Sequence, residues 1–264
     1  MNIDLSGKTA VVTGSTAGIG LAIAKGLAAS GAGVVINGRN PGTIDHAVDV
    51  IKAASPGASV HGIVADVATA AGCNALVAAV QATDILVNSA GIFEPKPFFE
   101  IPDADWTRLF ETNVMSGVRL SRAYMPAMLK ANWGRIIFIS SESALNIPTE
   151  MIHYGMTKTA QLAVSRGLAE LTAGTGVTVN SVLPGPTRSE GVEDFLREMA
   201  RQSGQTADDV AANFVKQHRS TSLLQRFATV EEVANMVVYA VSNEASATNG
   251  AALRVEGGNV RTIA

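Results

Sequence analysis

The segment that decides the fold is a short apolar run followed at once by a glycine-rich turn, Thr9-Ala10-Val11-Val12-Thr13-Gly14-Ser15-Thr16-Ala17-Gly18-Ile19-Gly20. The β-branched residues 9–13 are typical of a buried strand. After Gly20, apolar residues recur with helical spacing as far as Ser30-Gly31, which predicts a helix that a glycine ends. Strand, glycine turn and helix in this order predict a dinucleotide-binding unit. Glycines let the backbone approach a pyrophosphate, and the helix N-terminus supplies free N–H groups.

The second strand, residues 34–37, ends in Gly38-Arg39-Asn40. In a site that prefers NAD, an acidic residue about 20 residues beyond the glycines binds the ribose 2′-hydroxyl. No acid is present here, and the guanidinium of Arg39 can pair with a 2′-phosphate. The sequence therefore favours NADP(H), with NAD(H) possible. The alternative is a solvated loop arginine, because residues 15–17 add no second basic side chain.

Apolar runs alternate with helical patterns along the rest of the chain. Further strands are predicted at 60–64, 85–88, 135–140, 177–182 and 251–255, and the longest helices at about 103–131 and 149–172. Continuous apolar runs are typical of parallel strands covered on both faces. The pattern predicts an α/β fold, a single Rossmann-like domain over residues 1–264 with a doubly wound parallel sheet of about seven strands.

One interval breaks the alternation, because no strand is predicted between Pro184 and Thr229. Charged helical patterns at 192–201 and 207–218 fill it. Ligands bind at the carboxyl edge of open α/β sheets. We expect this interval to form a helical substrate lid at about 186–228.

Tyr154 and Lys158 are four residues apart, and Ser141 lies thirteen residues before Tyr154. On a helix, residues i and i+4 share one face. An ammonium near a phenol stabilises the phenolate and lowers its pKa from about 10, as proton transfer to or from an alcohol oxygen requires. Taken alone, this spacing also occurs by chance on solvated helices, so its weight comes from the surrounding motifs.

Composition restricts the partners. There are 20 Lys+Arg against 23 Asp+Glu, so the chain has no excess of positive charge and no nucleic-acid partner is expected. Of the 264 residues, 47% are hydrophobic, which is enough for a large core. The single cysteine, Cys73, excludes an internal disulfide and is expected to be a small buried residue. Four scattered histidines predict no metal site. No apolar run approaches the ~20 residues that span a bilayer, and no leader segment is visible, so we expect no membrane partner and a cytoplasmic location.

The motifs together resemble the short-chain dehydrogenase/reductase family over residues 3 to 258. The matching segments are Thr13-Gly-x-x-x-Gly-Ile-Gly20, Asp66-Val67, Asn88-Ser89-Ala90-Gly91, Asn113, Ser141, Tyr154-x-x-x-Lys158, Asn180-Ser-Val-x-Pro184-Gly185 and Val255-Glu256-Gly257-Gly258. The resemblance implies that Tyr154 is the general acid/base and that Ser141 orients the substrate oxygen. It also implies that Lys158 lowers the pKa of the tyrosine and binds the nicotinamide ribose, and that Asn113 holds a water linking Lys158 to solvent.

For the cofactor, the resemblance implies that Asp66 contacts the adenine amino group, Asn88 and Ala90 the adenosine side, and Thr187 with the backbone after Gly185 the carboxamide. The candidate cofactor-binding residues are Gly14, Ser15, Thr16, Gly18, Ile19, Gly20, Arg39, Asp66, Val67, Asn88, Ala90, Gly91, Tyr154, Lys158, Pro184, Gly185 and Thr187.

The chain is thus predicted to be an oxidoreductase that moves hydride between a nicotinamide and the carbon of a carbonyl or secondary alcohol in a small molecule. A non-catalytic dinucleotide sensor or scaffold on the same fold is the alternative, against which the presence of Asn113, Ser141, Tyr154 and Lys158 together argues. An epimerase or dehydratase is disfavoured because we expect no large C-terminal substrate domain. Glu142 and Arg188 could read substrate charge, although the favoured interpretation is that they are solvated loop residues.

The pattern of helix 149–172 bears on assembly. Its apolar residues exceed what one sheet face covers, and small residues stand between them. With the family's common pairing through this helix and 103–131, we expect a homotetramer, with a dimer as the alternative. His153 is expected to be a bystander, because on a helix it points about 100° from Tyr154.

Overall fold

The computed structural model describes residues 2–263, with the backbone alone for residue 195. Its core is a sheet of seven parallel strands in the order β3-β2-β1-β4-β5-β6-β9. The strands are β1 (Thr9–Val12), β2 (Gly33–Gly38), β3 (Val60–Val64), β4 (Ile85–Asn88), β5 (Gly134–Ile139), β6 (Val177–Pro184) and β9 (Ala252–Val255). The predicted doubly wound α/β sheet is confirmed. The two ends of the predicted domain, residues 1 and 264, lie outside the described range.

Helices cover both faces of the sheet. The α-helices of the described residues are α1 (Gly18–Ala29), α2 (Pro41–Ala54), α3 (Ala70–Ala79), α4 (Asp103–Phe110), α5 (Ser116–Ala131), α6 (Ile152–Glu170), α7 (Glu190–Ser203), α8 (Ala207–His218) and α9 (Val230–Val241). Helices α1, α2 and α9 pack in one buried cluster with the sheet, and α3, α5 and α6 in a second. Cys73 is buried in the second cluster, as predicted. No helix in residues 2–263 is both long and apolar enough to cross a membrane.

The predicted helix 103–131 is not continuous. A π-helical turn, Glu111–Met115, separates α4 from α5 and contains Asn113. The Asn113 side chain bonds to the backbone of Ile92, accepting from its N–H (2.8 Å) and donating to its carbonyl (2.9 Å). The wider turn carries Asn113, a candidate site residue, and such turns are frequent at functional sites. A periodic apolar pattern does not reveal a turn of this kind. The predicted helix 149–172 begins as a short 3₁₀ turn, Thr149–Met151, before α6.

The interval from Pro184 to Thr229 was predicted to lack strands, and this was wrong at its two ends. Strands β7 (Thr187–Arg188) and β8 (Ala228–Thr229) form a separate parallel pair. Two residues are too few to show a periodicity, and the pairing joins segments about 40 residues apart. Helices α7 and α8 lie between them and share a small buried cluster that includes Leu196, Val210 and Val215.

Candidate active site

The glycine turn after β1 requires glycine at each position for a steric reason. Gly14 and Gly18 have φ values of +60° and +54°, in the left-handed region that other residues rarely adopt. A Cβ on Gly20 would lie 2.3 Å from the carbonyl oxygen of Gly14, and one on Gly14 would lie 2.9 Å from Ala90 Cα. The turn thus packs backbone against backbone at the start of α1, in a shape that fits a pyrophosphate.

Ser15 fixes this turn to the second strand. Its hydroxyl donates to the carbonyl of Val12 (2.6 Å) and accepts from the N–H of Asn37 (3.0 Å). Thr16 lies beside Gly38, where a Cβ would come within 2.6 Å of Thr16 Cγ2. The acidic side chain of an NAD-type site therefore has no room at position 38 unless Thr16 moves. Arg39 is exposed and forms no ion pair with any residue in 2–263.

Thr13 belongs to the glycine motif, but the sequence indicated no role for its side chain. In the structure it holds the loop after β4. Its hydroxyl accepts hydrogen bonds from the N–H groups of Ser89 and Ala90, both at 3.0 Å. Asn88 is buried, and its amide donates to Ser121 on α5 (3.4 Å). Its Oδ1 has no partner among the described residues. After β3, at the edge of the sheet, Val67 is buried and Asp66 exposed, and the Asp66 carboxylate accepts a hydrogen bond from the N–H of Ala68.

Tyr154 and Lys158 lie on one face of α6, with the ammonium 5.5 Å from the centroid of the phenol ring. Lys158 is buried, and its Nζ donates to the carbonyl of Ile139 at the end of β5 (2.9 Å). Ser141 follows that strand, and its hydroxyl accepts from the N–H of Ser143 (3.1 Å), which holds it at the start of a 3₁₀ turn. Strand β5 and helix α6 therefore bring the predicted serine, tyrosine and lysine together.

Burial acts on both titratable groups of this cluster. It raises the pKa of Tyr154 to about 12, while a hydrogen bond with Ser141 acts in the opposite direction. It lowers the pKa of Lys158 from 10.5 to about 7. In both cases the apolar surroundings disfavour the charged form. A bound dinucleotide would bring hydroxyl groups and negative charge to this region, which favour the ammonium.

A cavity of about 530 Å³ opens in front of this cluster. Eight candidate residues line it, among them Ser141, Tyr154, Lys158, Pro184, Gly185 and Thr187. Side chains of α7 and α8, among them Val192, Met199 and Phe214, form part of its wall. Ile19 and Gly91 also line it, so the cavity reaches the glycine turn and the loop after β4. Such a mainly apolar cleft with a few convergent polar groups is typical of a small-molecule site.

Glu142 and Arg188 differ in their surroundings. The interpretation of Glu142 as a solvated loop residue was wrong, since it is 2% exposed. Its Oε1 accepts from Arg219 Nε (2.9 Å), and the other end of that guanidinium lies 3.6 Å from Glu150. The signal was absent from the sequence because Glu142 and Arg219 are 77 residues apart. Arg188 is exposed, as expected, and pairs with Glu193 and Asp208.

His153, the predicted bystander, is not among the residues that line the cavity. It is buried against Trp106 with a ring-to-ring distance of 5.8 Å. Desolvation lowers the pKa of this imidazole, which keeps the ring neutral. Both ring nitrogens lack a hydrogen-bond partner among residues 2–263.

The sheet order, the glycine turn and the Ser–Tyr–Lys cluster define a nicotinamide-dependent α/β oxidoreductase. A family model described as short chain dehydrogenase matches residues 8–200, and this chain belongs to that family. It is 49% identical to the uncharacterized oxidoreductase YvaG of Bacillus subtilis, with both chains covered in full. It is 34% identical to a D-beta-hydroxybutyrate dehydrogenase of Rhizobium meliloti, over 95% of this chain and 98% of that one.

Among solved structures, the L-sorbose reductase of Gluconobacter frateurii, complexed with NADPH and L-sorbose, superimposes with a TM-score of 0.94 at 32% identity over 100% of both chains. The predicted family and activity are therefore confirmed. The chain is a nucleotide-dependent oxidoreductase of carbonyl or alcohol substrates.

Proposed function

We propose that this chain is an NADP(H)-preferring oxidoreductase in which Tyr154 exchanges the proton with the substrate oxygen. The observation that carries the proposal is the position of the Tyr154 phenol, between Ser141 and Lys158 in the wall of a cavity that continues to the glycine turn. A phenol, a hydroxyl and an ammonium at one point suit proton transfer to an alkoxide-like oxygen.

When bound, the nicotinamide supplies or accepts the hydride. In the direction of reduction, the Ser141 hydroxyl donates a hydrogen bond to the carbonyl oxygen and holds it against the phenol. Tyr154 then gives its proton to that oxygen, and the charge of Lys158 stabilises the phenolate that remains. In the direction of oxidation the phenolate takes the proton from the alcohol. Asn113 acts indirectly, because its side chain holds the backbone of the loop that follows Gly91.

The cofactor would extend from the Ser–Tyr–Lys cluster along the carboxyl ends of the strands. The pyrophosphate would lie on the turn Gly14–Gly20, where a Cβ would fill the space. The 2′-phosphate would meet Arg39, and the adenine side Asp66, Val67, Asn88 and Ala90. Pro184, Gly185 and Thr187 line the cavity on the nicotinamide side. Steric closure of position 38 and the exposed Arg39 support the preference for NADP(H) over NAD(H).

Residues 186–228 are proposed to act as a lid over one Rossmann domain. Their helices carry a separate small core and meet the cavity through Val192, Met199 and Phe214. Among residues 2–263, β7 and β8 pair only with each other. A segment whose core is separate from the two buried clusters of the sheet suits a part that opens for substrate.

The charges of the cavity support an uncharged substrate. The Arg219 guanidinium in its wall already pairs with Glu142 and approaches Glu150. An incoming carboxylate would have to compete with both. This arrangement suits a neutral substrate better than a carboxylate. We therefore place the substrate among neutral ketones, ketoses and the corresponding alcohols.

The test is consumption of NADPH, followed by its absorbance, with two matched sets of carbonyl compounds. One set holds neutral ketones and ketoses, and the other holds 3-oxo acids. Turnover of neutral compounds is the expected result. Turnover confined to the oxo acids would refute the substrate class alone, and no turnover with either set would favour the non-catalytic alternative.

A homotetramer is proposed for the assembly. Helix α6 presents Leu162, Val164 and Leu168 only partly buried, and Leu171 after its end is 67% exposed. Apolar side chains that remain at the surface of a single chain suit a symmetric contact with a second copy of that chain. The cytoplasmic location remains an expectation from the sequence.

A further inference from the structure

Gln161 joins two of the residues assigned to the active site. It lies one turn beyond Lys158 on α6 and is 1% exposed. Its amide oxygen accepts a hydrogen bond from Lys158 Nζ (3.2 Å), and its amide nitrogen donates to the carbonyl oxygen of Asn113 (2.6 Å). The single side chain thus connects the ammonium to the π-helical turn that separates α4 from α5.

The three protons of the Lys158 ammonium can be assigned from these contacts. One goes to the carbonyl of Ile139 (2.9 Å) and one to Gln161. The third is left for the side of Tyr154 and the cavity. A lysine side chain has four carbons and samples many rotamers when it is free. The two fixed acceptors hold that of Lys158 in one orientation.

The surroundings of this ammonium are otherwise uncharged. Tyr154 is its titratable neighbour on α6, and the hydrogen-bond partners of the ammonium are the carbonyl of Ile139 at the end of β5 and the amide of Gln161 on α6. Glu142 and Arg219 act on the pKa of Tyr154, which the carboxylate raises and the guanidinium lowers. No carboxylate therefore offsets the desolvation of Lys158, and the two neutral acceptors stabilise its ammonium instead.

We propose that Gln161 is a positioning residue of the reaction, which keeps the Lys158 ammonium charged and directed at Tyr154 and the cofactor by tying it to the backbone of Asn113. The role rests on the proposed function of Tyr154 and Lys158. Position 161 requires a side chain that accepts at one end and donates at the other. A carboxylate would face the Asn113 carbonyl without a proton, and an aliphatic residue would leave both groups unpaired.

The experiment compares Gln161→Met, which has a similar length and no donor, with Gln161→Glu, which keeps the acceptor for Lys158. Ser165→Ala is the matched control, because Ser165 is buried one turn further along α6 and has no hydrogen bond to Lys158. Two quantities are followed against pH: NADPH affinity by fluorescence titration, and kcat and KM for alcohol oxidation.

The two variants should shift in opposite directions. With Gln161→Met, Lys158 loses its proton more easily, so the pH at which NADPH affinity falls should drop by about one unit. The ascending limb of kcat for alcohol oxidation should move to higher pH by a similar amount, because Tyr154 then lacks the cationic neighbour that stabilises its phenolate. With Gln161→Glu, the limb of NADPH affinity should move to higher pH. Ser165→Ala should move neither limb.

A purely structural role for Gln161 predicts lower thermal stability with both limbs unmoved, and that outcome would overturn the proposal. Should Gln161→Met fail to fold, an unmoved affinity limb in Gln161→Glu is decisive by itself. An active wild-type chain with unmoved limbs in the variants refutes the role of Gln161 alone. A wild-type chain that neither binds NADPH nor turns over any carbonyl compound refutes the proposed function, and the role with it.

Discussion

Arg219 at the end of α8 donates from Nε to Oε1 of Glu142, the residue directly after Ser141, over 2.9 Å. The two side chains are almost fully removed from solvent, at 11% and 3% exposed. The pair therefore joins the proposed lid to the loop that carries Ser141, the serine proposed to orient the substrate. Desolvation raises the pKa of Glu142, and the guanidinium opposes that effect, so the carboxylate depends on its partner.

Removing that partner should be costly. In Arg219→Met a buried carboxylate is left unpaired, and we expect the free energy of unfolding to fall by about 3–5 kcal/mol. The double variant Glu142→Gln/Arg219→Met should regain most of the loss. Urea denaturation measures both. Arg188→Met is the control, since its ion pairs are exposed and should contribute at most about 1 kcal/mol. Equal losses for Arg188→Met and Arg219→Met would contradict the assignment.

Cofactor preference should depend on Arg39. Arg39→Ala removes the side chain placed to meet a 2′-phosphate, so the affinity for NADPH should fall by about 1–3 kcal/mol while that for NADH stays unchanged. Fluorescence titration with both nucleotides measures the gap. Lys52→Ala removes one exposed positive charge at the far end of α2 and serves as control. Equal affinities of the unmodified chain for the two nucleotides would refute the preference.

Catalysis should depend on the hydroxyl of Tyr154. Tyr154→Phe keeps the ring but deletes the proton donor, so we expect kcat to fall about 10²–10⁴-fold while NADPH binding survives. Lys158→Ala should damage both, because one ammonium serves the ribose and the phenol. Tyr239→Phe, on α9, is the matched control. Near-normal turnover by Tyr154→Phe would show that the acid/base assignment is wrong.

Stability without cofactor should rise with pH through Lys158. Burial lowers the pKa of its folded form to about 7, whereas the unfolded side chain titrates near 10.4. Between these values the unfolded chain binds more protons, so the free energy of unfolding increases as pH rises. From pH 7 to 9 the gain should be on the order of 2 kcal/mol. Urea denaturation at both pH values should show this gain in the wild type and its loss in Lys158→Met. An equal pH dependence in the two proteins would contradict the depressed pKa.

Assembly should be visible in the solution mass. Light scattering at micromolar concentration should give a mass near four times the 27.3 kDa of one chain. A Cβ on Gly167 meets no atom within 4 Å in the described residues, so Gly167→Glu should disturb a partner rather than the chain itself. Gly191 on α7 is equally free, and Gly191→Glu is the control. A wild-type mass near that of one chain would refute the tetramer.

The sequence by itself determined the fold and indicated the candidate reacting residues, because the signals for both are local. Gly14, Gly18 and Gly20 are required by backbone geometry within one turn, and the strand and helix around them follow from apolar periodicity. Tyr154 and Lys158 share a face because four residues make about one helical turn. Their spacing alone predicts this shared face, without any tertiary contact.

The tertiary structure alone decided how charge and hydrogen bonding are distributed around these residues. Glu142 is buried because Arg219, far along the chain, covers it. The π-helical turn at Asn113 and the bridge through Gln161 depend on packing between α6 and its neighbours. Strands β7 and β8 exist because they meet each other. Desolvation and long-range pairing arise only when distant segments come together, so no local pattern of residues contains them.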